Sequence, residues 1–110
     1  MTDDLKTWIQ SFESGAKWFN NINSQKTLRN YLPNLAKYCK FVNLNPDELI
    51  NLKIVGLQNI NTAKEFIAED TLESFLTNAK YPLSVKGSIC ATVISFYRAN
   101  RRNLNEVKRR

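Results

Sequence analysis

The side chains in this sequence best placed for chemistry are Lys26, Arg29, Lys37 and Lys40, which recur between Ser24 and Pro46 with no acid among them. At about 100° per residue they fall, with Asn30, on one side of a helix. Leu28, Tyr31, Leu32, Leu35, Tyr38, Cys39 and Val42 gather on the other side in an arc of roughly 120°. Solvated helices usually mix signs, because Glu-to-Lys pairs four residues apart add a few tenths of a kcal/mol each. A face of one sign is therefore suited to an anion. An ordinary solvated face is the competing reading.

A second face has the types for phosphate contact without the charge. Ser84, Ser88, Ala91, Thr92, Ser95 and Ala99 project together, opposite Val85, Ile89, Cys90, Val93, Phe96 and Tyr97. Small hydroxylated residues let a helix sit deep in a major groove and donate to phosphate. They serve equally well for close packing on a neighbouring helix, and the sequence leaves the two readings even. Beyond this face, Arg98, Arg101, Arg102, Lys108, Arg109 and Arg110 against Glu106 make the end of the chain the most basic part, suited to a solvated tail with affinity for nucleic acid.

Other chemistries are excluded by what is missing. The chain has no histidine and only 3 glycines, none clustered. That removes Ser-His and Cys-His nucleophile pairs, imidazole metal sites, P-loops and dinucleotide fingerprints. Cys39 and Cys90 lie on apolar stripes and read as small buried hydrophobes in a reducing compartment. Glu65, Glu69, Asp70 and Glu73 read as a solvated acidic face rather than a general acid and base. No enzyme, no metal and no cofactor is expected.

These faces need helices to hold them. At 110 residues, 43% hydrophobic and 24% charged, the chain is one domain able to bury about two thirds of its unfolded surface. Its 16 Lys and Arg against 10 Asp and Glu leave +6 and a pI near 9.5, which favours polyanionic partners. Apolar runs are too short for a membrane span, and Asp3 and Asp4 are wrong for a secretory leader, so a cytoplasmic protein without membrane contact is expected.

In order, Asp3 or Asp4 is expected to cap a first helix with Leu5, Trp8, Ile9, Phe12, Ala16 and Phe19 at helical spacing and Gly15 as a soft point. Trp8, Phe12, Trp18 and Phe19 read as core anchors. Ser24 caps the basic helix, in which Pro33 predicts a kink or break near Arg29 to Leu32. Pro46, Asp47 and Glu48 open a short helix to about Leu52 or Lys53, followed by a connector over 54–61. A longer acidic helix runs from Thr62 or Ala63 to about Ala79, and a last one from Ser84 or Val85 to about Asn100.

Ser24, Lys26, Thr27, Leu28, Tyr31, Leu35, Tyr38 and Phe41 resemble the S-x-K-T-L-x-x-Y-x-x-x-L-x-x-F/Y opening of the core-binding domain of tyrosine recombinases, the phage integrase family. Asn45-Pro46-Asp47-Glu48-Leu49 resembles that module's short second helix, and Ser84 to Tyr97 its closing helix. The resemblance implies an all-α, SAM-like bundle of four or five helices. It divides the chain into an N-terminal helix over 1–23, the module over 24–104, and a basic tail or linker start over 105–110. It implies that the module clamps a double-stranded DNA half-site, with copies assembling on the DNA, while a catalytic domain of the same polypeptide cuts and rejoins the strand. By position it carries Lys26, Thr27, Arg29, Asn30, Lys37, Lys86, Ser88, Thr92 and Ser95 over as DNA contacts, to which charge alone adds Lys40, Arg98, Arg101 and Arg102. None of Tyr31, Tyr38, Tyr81 or Tyr97 matches the family's nucleophile. The alternative is a SAM-like or death-like interaction module whose basic and acidic faces dock head to tail on copies of itself.

Overall fold

The organising feature is the stripe on the basic helix, which the fold buries as the period requires. In a computed structural model that describes residues 3–105, six helices follow one another with no strand among the described residues: α1 (Asp3–Gln10), α2 (Glu13–Asn21), α3 (Gln25–Val42), α4 (Pro46–Gln58), α5 (Ile67–Asn78) and α6 (Leu83–Ala99). Leu28, Leu32, Leu35, Tyr38 and Cys39 of α3 are buried, and Tyr31 and Val42 pack half-buried against the same core. Ile9, Trp18, Leu49, Leu72, Phe75, Ile89, Val93, Phe96 and Tyr97 complete it. Residues 3–23 thus contribute to one core with the rest.

The ends of α3 follow from local chemistry. The Thr27 amide donates to Ser24 Oγ at 3.2 Å, closing the N-terminus. At the other end Asn43 takes a left-handed conformation (φ 58°) and the Leu44 amide reaches back to the Cys39 carbonyl at 3.1 Å. That wrap satisfies carbonyls the helix would leave open. Pro33 does not break the helix, which runs continuously from Gln25 to Val42. The carbonyl deprived of its partner belongs to Arg29, an exposed residue that water can reach.

Three boundaries differ from those predicted. The first helix is two: the Ser11 hydroxyl and amide bond back to the Trp8 carbonyl, Phe12 is extended, and α2 starts afresh at Glu13. Asp3 and Asp4 lie within α1 rather than ahead of it. Gly15 is no soft point. A Cβ there would stand 2.2 Å from the Ile9 carbonyl oxygen, so glycine is what lets α2 fold back on α1.

The helix opened by Asn45, whose side chain accepts from the Glu48 amide while Glu48 returns a bond to the Asn45 amide, continues five residues past Lys53 to Gln58. The predicted connector is therefore partly helix. Gly56 allows the 59–66 turn to press onto α4, since a Cβ there would lie 2.4 Å from the Glu65 carbonyl oxygen. In that turn Asn61 is left-handed and Thr62 Oγ donates to the Asn59 carbonyl at 2.6 Å. Such side-chain bonds compete with helix, and α5 begins at Ile67 rather than Thr62.

Glu69 also departs from the expected solvated acidic face. It is 2% exposed and holds Lys53 Nζ at 2.5 Å across the α4–α5 contact. The Asn105 amide donates to the same Oε2 at 2.7 Å, which fastens the chain after α6 onto α5.

The two faces of α3 give a direct stability test. Leu35→Ala should cost about 2–5 kcal/mol, as for other buried leucines. Lys37→Ala, on the exposed face, should stay within about 0.5 kcal/mol. Urea midpoints of the two variants measure this, and equal midpoints would mean the faces are misassigned.

Candidate nucleic-acid interface

Lys26, Arg29, Asn30, Lys37 and Lys40 are all exposed along the outer side of α3. Their helix packs on α6 in a register set by two polar anchors. Asn34 Nδ2 donates to Ser88 Oγ at 2.9 Å and to Thr92 Oγ1 at 3.1 Å. Farther along, Trp18 of α2 lies between the helices: it stacks on Tyr31 at 6.3 Å, meets Phe96 edge-on at 6.0 Å, and its Nε1 donates to Ser95 Oγ at 3.3 Å. As α3 runs from Tyr31 to Asn34, α6 runs from Ser95 back to Ser88, so the two are antiparallel. The start of α3, with Lys26 and Arg29, therefore lies toward the end of α6, with Arg98 and Arg101.

The sequence adds a property of this pair that neither helix shows alone. No acid occurs between Ser24 and Pro46, nor between Ser74 and Asn105. The α3–α6 pair thus carries no carboxylate. Lys37 Nζ sits 5.8 Å from the Tyr81 ring centroid, next to exposed Lys80. Neither Lys80 nor this ring stood out in the sequence, because their neighbourhood depends on how the 79–82 turn returns to α3.

The hydroxyl face divides, with Thr92 and Ser95 taken up in packing and Ser84, Ser88 and Ala91 left exposed. Thr92 is fully buried, with Oγ1 accepting from Asn34 and donating to the Ser88 carbonyl at 2.9 Å, so it cannot reach DNA as expected. Ser95 is half-buried under Trp18, and the Ser88 hydroxyl is engaged by Asn34. Asn34 and Trp18 thus engage the middle of the stripe, at Ser88, Thr92 and Ser95. Lys86 is half-buried too, and its Nζ donates to the Leu76 carbonyl at 2.9 Å, satisfying the end of α5. Thr27 is half-buried beside the Ser24 cap.

At the end of α6, Arg98, Arg101 and Arg102 are exposed. Arg101 takes a left-handed conformation (φ 58°), and the Arg102 amide bonds to the Tyr97 carbonyl at 2.9 Å. Glycine is usual at such a position, and a larger residue there costs about 1–2 kcal/mol. Arg102 shares a small polar pocket with Glu13, Lys17 and Asp47, so carboxylates stand near it. Lys108, Arg109 and Arg110 lie outside the described residues.

Three buried groups in the core are shifted by their surroundings. Burial pushes the Cys39 thiol up to about 12, so it stays protonated, and burial likewise raises the Tyr38 and Tyr97 hydroxyls. Tyr97 donates to the Leu49 carbonyl at 2.8 Å as a tie between α6 and α4. Cys90 is buried with Cys39 in the core. Among the described residues, no helix is long and apolar enough to cross a membrane. No protein-family description, curated protein or solved structure matches this chain.

Proposed function

We propose that this helical domain binds double-stranded DNA through the outer side of the α3–α6 pair, with no catalysis of its own. The observation that carries the reading is the pairing of two helices that contain no carboxylate between them and expose Lys26, Arg29, Lys37, Lys40 and Arg98, with exposed Arg101 just past the end of α6. From Lys26 to Lys40 the helix rises about 21 Å, long enough to follow several phosphates. Such contacts position a protein on the duplex without reading sequence. The resemblance extends the proposal: the domain would serve a site-specific tyrosine recombinase, clamping a half-site while a catalytic domain of the same polypeptide acts on the strand.

Neutralising about five phosphates makes log K fall with log salt at a slope near −4 to −5. Titration of a labelled duplex at several salt concentrations reads that slope. Lys26→Ala, Arg29→Ala or Lys37→Ala should each reduce its magnitude by about one and weaken all sequences alike. No binding at low salt would remove the DNA reading and promote head-to-tail self-association in its place.

A further inference from the structure

The acid missing from α3 and α6 is concentrated elsewhere, on an α5 face that also exposes aromatic surface. Two open grooves, of about 360 and 370 Å³, meet at Asp70. One is lined by Phe66, Glu69, Glu73 and Asn105 besides Asp70, and the other runs past Phe41, Ile67 and Ser74. Phe41 and Phe66 are each 44% exposed. Phe66 occupies the N-cap of α5, where its side chain makes no capping bond and where Ser, Thr, Asp or Asn would stabilise the helix. Neither its burial nor its capping explains a phenylalanine at this position.

The carboxylates beside these rings are under-used. Asp70 and Glu73 have no ion-pair partner among the described residues. Glu69, which also lines the first groove, is by contrast answered by Lys53 and by the Asn105 amide through Oε2, so Asp70 and Glu73 carry the open charge. Aromatic faces alternating with unanswered carboxylates match a segment that presents apolar side chains next to lysine or arginine, the rings also favouring the cation. An anionic ligand is disfavoured by the same charges.

We propose that this α5 face docks a basic, apolar-flanked peptide segment of a partner protein, with its cations on Asp70 and Glu73 and its apolar side chains against Phe41 and Phe66. The site is separate from the DNA reading and stands whether or not that reading does. The probe is a fluorescein-labelled peptide of repeating Lys-Leu-Leu units, titrated into the full chain and followed by anisotropy. Saturable binding is expected, weakened about tenfold by Asp70→Asn combined with Glu73→Gln. Phe66→Ser should weaken it similarly while leaving the unfolding midpoint close to that of the wild type, because serine is the better cap. Replacing the peptide's leucines by serine should also weaken binding, and replacing its lysines by glutamate should abolish it. The proposal is overturned if binding does not saturate or is unchanged by the Asp70 and Glu73 substitutions. It is overturned equally if those substitutions abolish a concentration-dependent dimer while the peptide does not bind, which would make a second copy the occupant.

Discussion

Lys53→Ala should destabilise the domain by about 3–5 kcal/mol, although it removes a surface-type residue from the middle of a helix. Lys53 and Glu69 are both almost completely buried and joined at 2.5 Å. Truncating the lysine leaves a carboxylate in the core with backbone amides, that of Asn105 among them, as its remaining donors. Removing both charges is a different experiment. Lys53→Met with Glu69→Leu should return close to wild-type stability, since the desolvation cost of the pair disappears with the pair. Urea midpoints of the single and double variants test this, and a double variant as unstable as the single one would place the cost in lost packing rather than in the stranded charge.

The same pair sets a pH dependence. Burial pushes the Glu69 carboxyl up, but the hydrogen bond from Lys53 and the amide of Asn105 outweigh it, and the group ends below its ordinary value of 4.5. A carboxyl lowered on folding adds stability that is fully present above that value and lost as the pH falls through the folded one. In Lys53→Ala burial dominates, so the deficit should be largest near neutrality and narrow in acid.

Trp18→Ala should cost about 3–5 kcal/mol as well. The indole is fully buried, and it touches α3 through Tyr31 and α6 through both Phe96 and Ser95, so its loss opens a cavity where three helices meet. Trp8 lies half-buried at the edge of the core and should cost less. Thermal or urea unfolding of the two variants measures the difference, and equal losses would contradict the central place given to Trp18.

Elements with a strong local cause were legible in the sequence. Ser24 announced one helix start because capping is a short-range bond, Pro46 with Asp47 and Glu48 announced another because those residues suit a first turn, and the α3 stripe announced its buried face because seven apolar residues kept one period. The all-helical class followed from the same regularity. What was not legible depends on residues distant in sequence. Asn34, just after Pro33 in the helix, gave no sign that it would bind hydroxyls more than fifty positions away, and so the stripe from Ser84 to Ala99 could not be divided between DNA and packing. Glu69 looked like its neighbours Asp70 and Glu73 until α4 proved long enough to bring Lys53 opposite. The late start of α5 depends on the 59–66 turn, which Gly56 lets lie against α4 and which the Thr62 hydroxyl holds out of helix.

The Asn34 anchors also bear on the order in which the surface comes into being. They join positions 54 and 58 residues apart, while α1 with α2 and α4 with α5 can pair across short turns. Bringing distant segments together costs loop entropy that grows with separation, so nearby pairs tend to form first. A chain still emerging from the ribosome can expose α3 as a lone basic helix, but the carboxylate-free pair requires α6 to have been made and seated. The proposed duplex-binding surface would thereby be assembled only after α6 has been made and seated, and before that point α3 presents its cations on a single helix.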